Sequence, residues 1–147
     1  MRADRFVLDN HIWISYLITK KEKKLVDIIA DHVLVVFSCN ELLIEIEWVL
    51  RYPRLKKYNI NVPYALKVVK SATTYYELSY PIKCYVPNDK DDDYLIALAL
   101  QTLSGFITTG GNHILLEKEA LEKKYKKLKI LTMAEFEEMF AKYHPVN

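Results

Sequence analysis

The sequence predicts an α/β fold with a parallel sheet covered by helices on both faces. Three observations predict it. Short apolar runs alternate with longer helical patterns from end to end. Those runs lack polar alternation, as expected of strands buried on both faces. The 147 residues are 51% hydrophobic and 27% charged, with 3 Gly and 5 Pro, which fits one folded domain over 1–147 without long flexible linkers.

The elements follow in order. Residues 5–8, Arg-Phe-Val-Leu, make a short buried strand ending at Asp9. Residues 12–18 make an apolar helix that carries Trp13 and Tyr16. The β-branched run at 32–37 is a second buried strand, and Ser38 or Asn40 can cap the helix after it. That helix, about 41–51, puts Leu42, Leu43, Ile46, Val49 and Leu50 on one stripe. Glu45 falls beside the stripe and can lean over the core edge towards a sheet, while Glu47 takes the other flank. Ile44 and Trp48 lie opposite, where solvent is expected, and hint at a protein interface. Pro53 ends the helix.

Residues 62–78 form an amphipathic helix and 83–86 a short edge strand. Asn88 and the acidic run after it open a helix whose 94–100 segment is apolar nearly all round, hence buried. Residues 105–108 are a third core strand, 115–126 a charged helix and 128–131 a last strand. Thr132-Met-Ala-Glu135 is a capping box that opens the final helix. There is no internal repeat.

Composition excludes some classes. No apolar run is long enough to span a membrane, and the N-terminus lacks a signal peptide's apolar segment, so a cytoplasmic protein is expected. Cys39 and Cys84 have apolar neighbours and no zinc-like spacing, and read as buried free thiols in a reducing compartment. A net charge of +2 says little about nucleic acid. The Lys20–24, Arg51–Lys57 and Lys123–129 clusters are either solvated helix faces or contacts for a phosphate backbone.

The candidate chemistry rests on Asp9, Glu45 and Asp92. Each sits at the edge of an apolar segment. In a parallel sheet, sites form beyond the carboxyl ends of the strands, where strand order reverses. Carboxylates gathered there suit a hard cation, Mg²⁺ or Mn²⁺, and metal-assisted phosphodiester cleavage. Each also has an ordinary explanation: Asp9 as a helix cap, Glu45 as a solvated flank, and Asp91, Asp92 and Asp93 as acids favoured at a helix start. The residues alone leave both readings open.

Five segments in order resemble the PIN-domain family, and within it the toxin-like (VapC-like) branch of toxin–antitoxin pairs. Val7-Leu-Asp-Asn-His-Ile-Trp-Ile-Ser15 resembles the opening motif Val-Leu-Asp-Thr-Asn-Val-x-Ile-Ser. Glu45-Ile-Glu-Trp-Val-Leu-Arg-Tyr-Pro-Arg-Leu55 is similar to Glu-Leu-x-x-Val-Leu-x-Arg-Pro-Lys. Asp89-Lys-Asp-Asp-Asp-Tyr-Leu95 resembles Asp-Pro-x-Asp-Asp. Ile107-Thr-Thr-Gly-Gly-Asn-His-Ile-Leu-Leu116 stands where the family reads Thr-Gly-Asp-x-Asp-Leu-Leu, and Ile130-Leu-Thr-Met-Ala-Glu-Phe136 resembles its closing strand and helix. The resemblance covers nearly the whole chain. It implies a three-layer α/β/α sandwich with a central parallel sheet of four to five strands, PIN-like and Rossmann-like. It further implies a Mg²⁺- or Mn²⁺-dependent ribonuclease acting on RNA, often a homodimer and often inhibited by an antitoxin protein. By position it makes Asp9, Glu45 and Asp92 catalytic and metal-binding, with Asp93 and Asp89 assisting and Thr109 contributing a hydroxyl.

The sequence departs from the motif at the fourth segment. The expected aspartates are Gly111 and His113, and the Thr-Asn after the first Asp is Asn10-His11. Losing a carboxylate should weaken metal affinity by roughly 10- to 100-fold or more. His11 and His113 can shift preference towards Mn²⁺ or a softer ion, and Asn112 or water can fill the gap. Three functions compete: a metal-dependent ribonuclease, a catalytically degenerate RNA- or protein-binding module on the same fold, and a cofactor enzyme on a Rossmann-like sheet. The last is disfavoured because no Gly-x-Gly-x-x-Gly follows the first strand.

Overall fold

The β-branched and aromatic runs of this chain form one wholly parallel sheet. A computed structural model describes residues 2–87 and 89–141. The strands are β1 (Arg2–Leu8), β2 (Val35–Ser38), β3 (Thr74–Tyr75), β4 (Ser104–Thr108) and β5 (Lys129–Leu131). Their order is β3-β2-β1-β4-β5, and every pair is parallel. The helices are α1 (Asn10–Ile18), α2 (Glu22–Asp31), α3 (Asn40–Leu50), α4 (Val62–Ala72), α5 (Asp93–Gln101), α6 (Asn112–Leu116), α7 (Lys118–Lys124) and α8 (Met133–Ala141). This is the expected α/β sandwich. Strand order reverses at β1, since β2 lies on one side of it and β4 on the other. The carboxyl ends of β1 and β4 therefore sit side by side where such sheets carry sites.

The central strand is fully sequestered. Phe6, Val7 and Leu8 are 0% exposed. Phe6 stacks on Phe106 at 4.7 Å between ring centres and meets Phe136 edge-on at 5.7 Å. This joins β1, β4 and α8 through offset and T-shaped ring contacts. Helix α5 is the buried helix the apolar run 94–100 predicts, with Tyr94 to Ala99 all buried. The capping box also forms: Glu135 N–H donates to the Thr132 hydroxyl at 3.2 Å, and Thr132 N–H donates to Glu135 Oε1 at 2.9 Å.

Several elements differ from expectation. Helix α2 was not anticipated; its Leu25, Ile28 and Ile29 recur at helical spacing but are diluted by lysines. Val33 adopts φ 52°, and Leu34 N–H closes back on Ile29 C=O at 2.9 Å, so the β-branched run is first spent ending α2 and joins the sheet only at Val35. The helix expected over 62–78 stops at Ala72. Thr73 is already extended, and Thr74 and Tyr75 pair with β2 as the edge strand, as β-branched and aromatic residues favour. The charged helix expected over 115–126 is two short ones, α6 and α7. Ser38 and Asn40 do not cap α3: the Ser38 hydroxyl takes a 2.8 Å bond from Thr73, and Cys39 holds the cap position with no side-chain cap bond. Cys39 is buried as expected, but Cys84 is exposed. Asn88 lies outside the described residues.

Residues 83–86 are not a strand. Their amides turn instead to Asp93, whose Oδ1 accepts from Tyr85 N–H at 2.8 Å and Val86 N–H at 2.7 Å. Asp93 is only 6% exposed, and its charge strengthens both bonds. Replacing it leaves two amides without a partner, one of them buried. Asp93→Ala should therefore lower the unfolding free energy by about 2–4 kcal/mol in a urea titration.

Candidate metal centre

Asp9 is the residue that ends β1 and starts α1. Its backbone is extended, and its Oδ1 accepts from Ile12 N–H at 3.3 Å, so it caps the helix as its sequence position allows. Its Oδ2 takes a short hydrogen bond from the Thr109 hydroxyl, at the end of β4. Thr109 Oγ1 in turn accepts from Gly111 N–H at 2.9 Å. Asp9 is 1% exposed and is held between two strand ends.

Glu45 reaches the same place from α3. Its Oε1 accepts from Tyr94 OH at 2.6 Å and takes a short hydrogen bond from Asn10 Nδ2. Burial, then the charge of Glu45, pushes the Tyr94 hydroxyl up, so it stays a proton donor at working pH. The carboxylate is thus oriented by α1 and α5 together.

Asp92 completes the group from the turn before α5. Partial burial first, and then the charges of Asp89, Glu45 and Asp9, push its carboxyl up to about 7, with His11 pulling the other way. Asp92 thus feels the charges of Glu45 and Asp9, but the ligand atoms that come within 4.8 Å of one another belong to a different set. Asp89, Asp92 and His113 present ligand atoms within 4.8 Å of one another, and His113 Nδ1 lies 3.0 Å from Asp89 Oδ2.

A cleft of about 670 Å³ opens here, lined by Glu45, Asp89, Asp92 and His113 on its polar side; Asp9 is buried and does not line it, although its neighbours Asn10 and His11 do. Asp93 is absent from it, being committed to residues 85–86, and Asn112 is exposed at the start of α6 and does not line it. Thr109 acts beneath, on Asp9. Sequence reasoning missed the roles of Asn10 and Tyr94, which orient Glu45. Nothing in their local pattern marks them, because their partner is 35 and 49 residues away.

Gly111 leaves a shaped space. A Cβ there would lie 3.3 Å from Thr109 Oγ1, 3.6 Å from His11 Cε1 and 3.8 Å from Asp9 Oδ2. A side chain at 111 would enter the acidic group, and the His11 imidazole now borders that space. His11 Nδ1 is 3.4 Å from Asp9 Oδ2. The bond to Asp9, opposed by partial burial and aided by the Asp9, Asp92 and Glu45 charges, holds the imidazole above its usual range.

Residues 5–113, about three-quarters of the chain, match the PIN domain family. The chain belongs to that family. Its fold is of nuclease type, and its acidic residues can bind a divalent metal ion. An uncharacterized protein of Methanocaldococcus jannaschii, MJ1680, is 29% identical over 147 aligned residues, 95% of this chain and 93% of the relative. Within this PIN domain the donor set is hard carboxylate oxygen with one imidazole, which fits a divalent cation kept partly hydrated. Among the described residues, no helix is long and apolar enough to cross a membrane.

The charge cluster makes stability depend on pH and metal. Asp92 binds its proton more tightly folded than unfolded, so the folded state loses ground as pH rises from about 4 to about 7. His11 is also raised, so its contribution is complete below its unfolded value of 6.5 and is lost as pH rises through the folded one. Both act in one direction. In metal-free buffer the melting midpoint should fall by roughly 3–8 °C between pH 5 and pH 8, allowing for solvent screening. Mg²⁺ or Mn²⁺ at pH 8 should restore it, and Asp92→Asn should flatten the profile.

Proposed function

We propose that this PIN domain is a metal-dependent endoribonuclease of the toxin-like class, hydrolysing RNA phosphodiester bonds in the cytoplasm, with activity reduced by the missing carboxylate at Gly111. The observation that supports the reading is the ligand cluster of Asp89, Asp92 and His113 in a cleft that Glu45 also lines, beside Asp9 at the switch point of a PIN-family sheet. Asp9, Glu45 and Asp92 would hold the ion, with Asp89 and His113 beside Asp92 and Thr109 positioning Asp9. Bound there, Mg²⁺ or Mn²⁺ would supply Lewis acidity and lower the pKa of a water. His113 as an added ligand favours Mn²⁺ over Mg²⁺.

The chain's own residues divide the remaining work. Thr109 and the Ile12 amide keep Asp9 in place. Asn10 and Tyr94 keep Glu45 in place. Glu45 or Asp92, both facing the cleft, would position the attacking water. An antitoxin protein and a second copy of the chain are the partners this class implies.

One observation favours a second reading. Gly111 brings no oxygen to the space a side chain there would occupy, and His11 borders it. A domain that has lost this ligand could bind RNA without cutting it. Two experiments separate the readings. Wild type should cleave single-stranded RNA with Mn²⁺, and Asp9→Asn should lower the rate by at least ~100-fold; equal cleavage by both rejects the nuclease. Gly111→Asp should tighten Mn²⁺ binding by roughly 10- to 100-fold in calorimetry. An unchanged affinity would show that the missing carboxylate does not limit the site.

A further inference from the structure

The cleft has a second wall. Glu41, Ile44, Glu45, Trp48, Val49 and Tyr52 all line it, and they recur at helical spacing along one face of α3 and its end. The apolar pair Ile44 and Trp48 thus faces the same opening as the carboxylates. Trp48 is 65% exposed and Tyr52 43% exposed. Four positions apart, they stand on the same side of the helix. The Arg54 guanidinium lies 5.5 Å from the centre of the Tyr52 ring. Arg54 belongs to the short turn Pro53–Tyr58, which also carries exposed Lys56 and Lys57.

Acid, aromatic and base therefore follow one another along a single path. The carboxylates suit a metal-bridged phosphate, the rings suit a planar apolar group, and the cations suit a further negative charge. Single-stranded RNA presents those groups in that order: phosphate, base, phosphate. We propose that Trp48 and Tyr52, with Arg54 at their end, form a stacking shelf that seats a nucleobase of single-stranded RNA next to the phosphate held over the carboxylates. This rests on the nuclease reading for the neighbouring phosphate. Stacking tolerates every base, so the shelf would bind without strong sequence preference. It excludes duplex RNA, whose bases are stacked on one another. A protein surface would not need the cationic turn beyond the rings or the shared opening with the acidic group.

Tryptophan emission tests this directly. Trp13 is 0% exposed, so a change in emission on adding ligand reports Trp48. The probe is a short phosphorothioate oligoribonucleotide, resistant to cleavage, in buffer with Mg²⁺, compared with the same strand annealed to its complement. The single strand should quench the emission and the duplex should not. Trp48→Ala should weaken single-strand binding by roughly 5- to 150-fold, and Trp48→Phe, which keeps a ring, by much less. Arg54→Ala should reduce the salt dependence of binding by about one charge. Unquenched emission, or Trp48→Ala binding the probe like wild type, overturns the shelf, and a Trp48→Ala effect on dimer formation alone assigns the face to a protein partner. The two proposals fail separately. Quenching without cleavage of ordinary RNA keeps the shelf and rejects the nuclease. Cleavage with an unchanged KM in Trp48→Ala keeps the nuclease and rejects the shelf.

Discussion

Several carboxylates share one small volume at the carboxyl edge of this sheet, and their mutual repulsion governs what is built around them. Asp9, Glu45 and the Asp89–Asp92 pair come from three segments, and burial first, then the neighbouring acids, holds the Asp92 carboxyl up to about 7. A cluster of this kind is costly for the folded state unless donors and a cation offset it. The surrounding structure supplies donors at each point. Thr109 and the first-turn amide of α1 serve Asp9, and Asn10 and Tyr94 serve Glu45. Among the described residues that line the cleft there is no Lys or Arg, and a divalent ion would offset the acids.

The same constraint explains how rigidly the site is mounted. Asp9 both ends the central strand and caps α1, so the backbone that carries it is fixed by the sheet on one side and a helix on the other. Glu45 leans from α3 across the edge of the core, which places its charge against α1 and α5. Asp93, next to Asp92, is turned to the 85–86 segment and anchors the loop that delivers Asp89 and Asp92. Neighbouring aspartates thus face opposite ways, Asp93 to the backbone of 85–86 and Asp92 to the cleft.

Gly111 and His11 stand where the sequence departs from the motif it resembles. The glycine brings no oxygen to the cluster, and an imidazole beside Asp9 borders the space. Where the resembled motif has a carboxylate, this chain has no side chain, and the group bordering the space is an imidazole. That lowers repulsion and also lowers the pull on a cation, so the two effects oppose one another in stability and in metal binding.

Much was legible in the chain itself. Apolar runs without alternation identified a parallel sheet, the all-apolar 94–100 segment identified a buried helix, and Asp9, Glu45 and Asp92 were candidates only because each sits at the edge of an apolar segment, with a structural role equally open. These are local signals, fixed by periodicity and burial. Helix α2, the edge strand at Thr74–Tyr75 and the loss of a strand at 83–86 were not legible, because tertiary partners decide between weak local preferences. The partners of Glu45 and the fate of Asp93 were settled only by folding, since hydrogen bonds between distant segments leave no spacing to read. Trp48 shows the difference most clearly. By itself the sequence determined that Trp48 points away from the core. Only the tertiary structure decided that it faces the acidic cleft, because α3 packs with its edge, not its back, along the carboxyl ends of the strands.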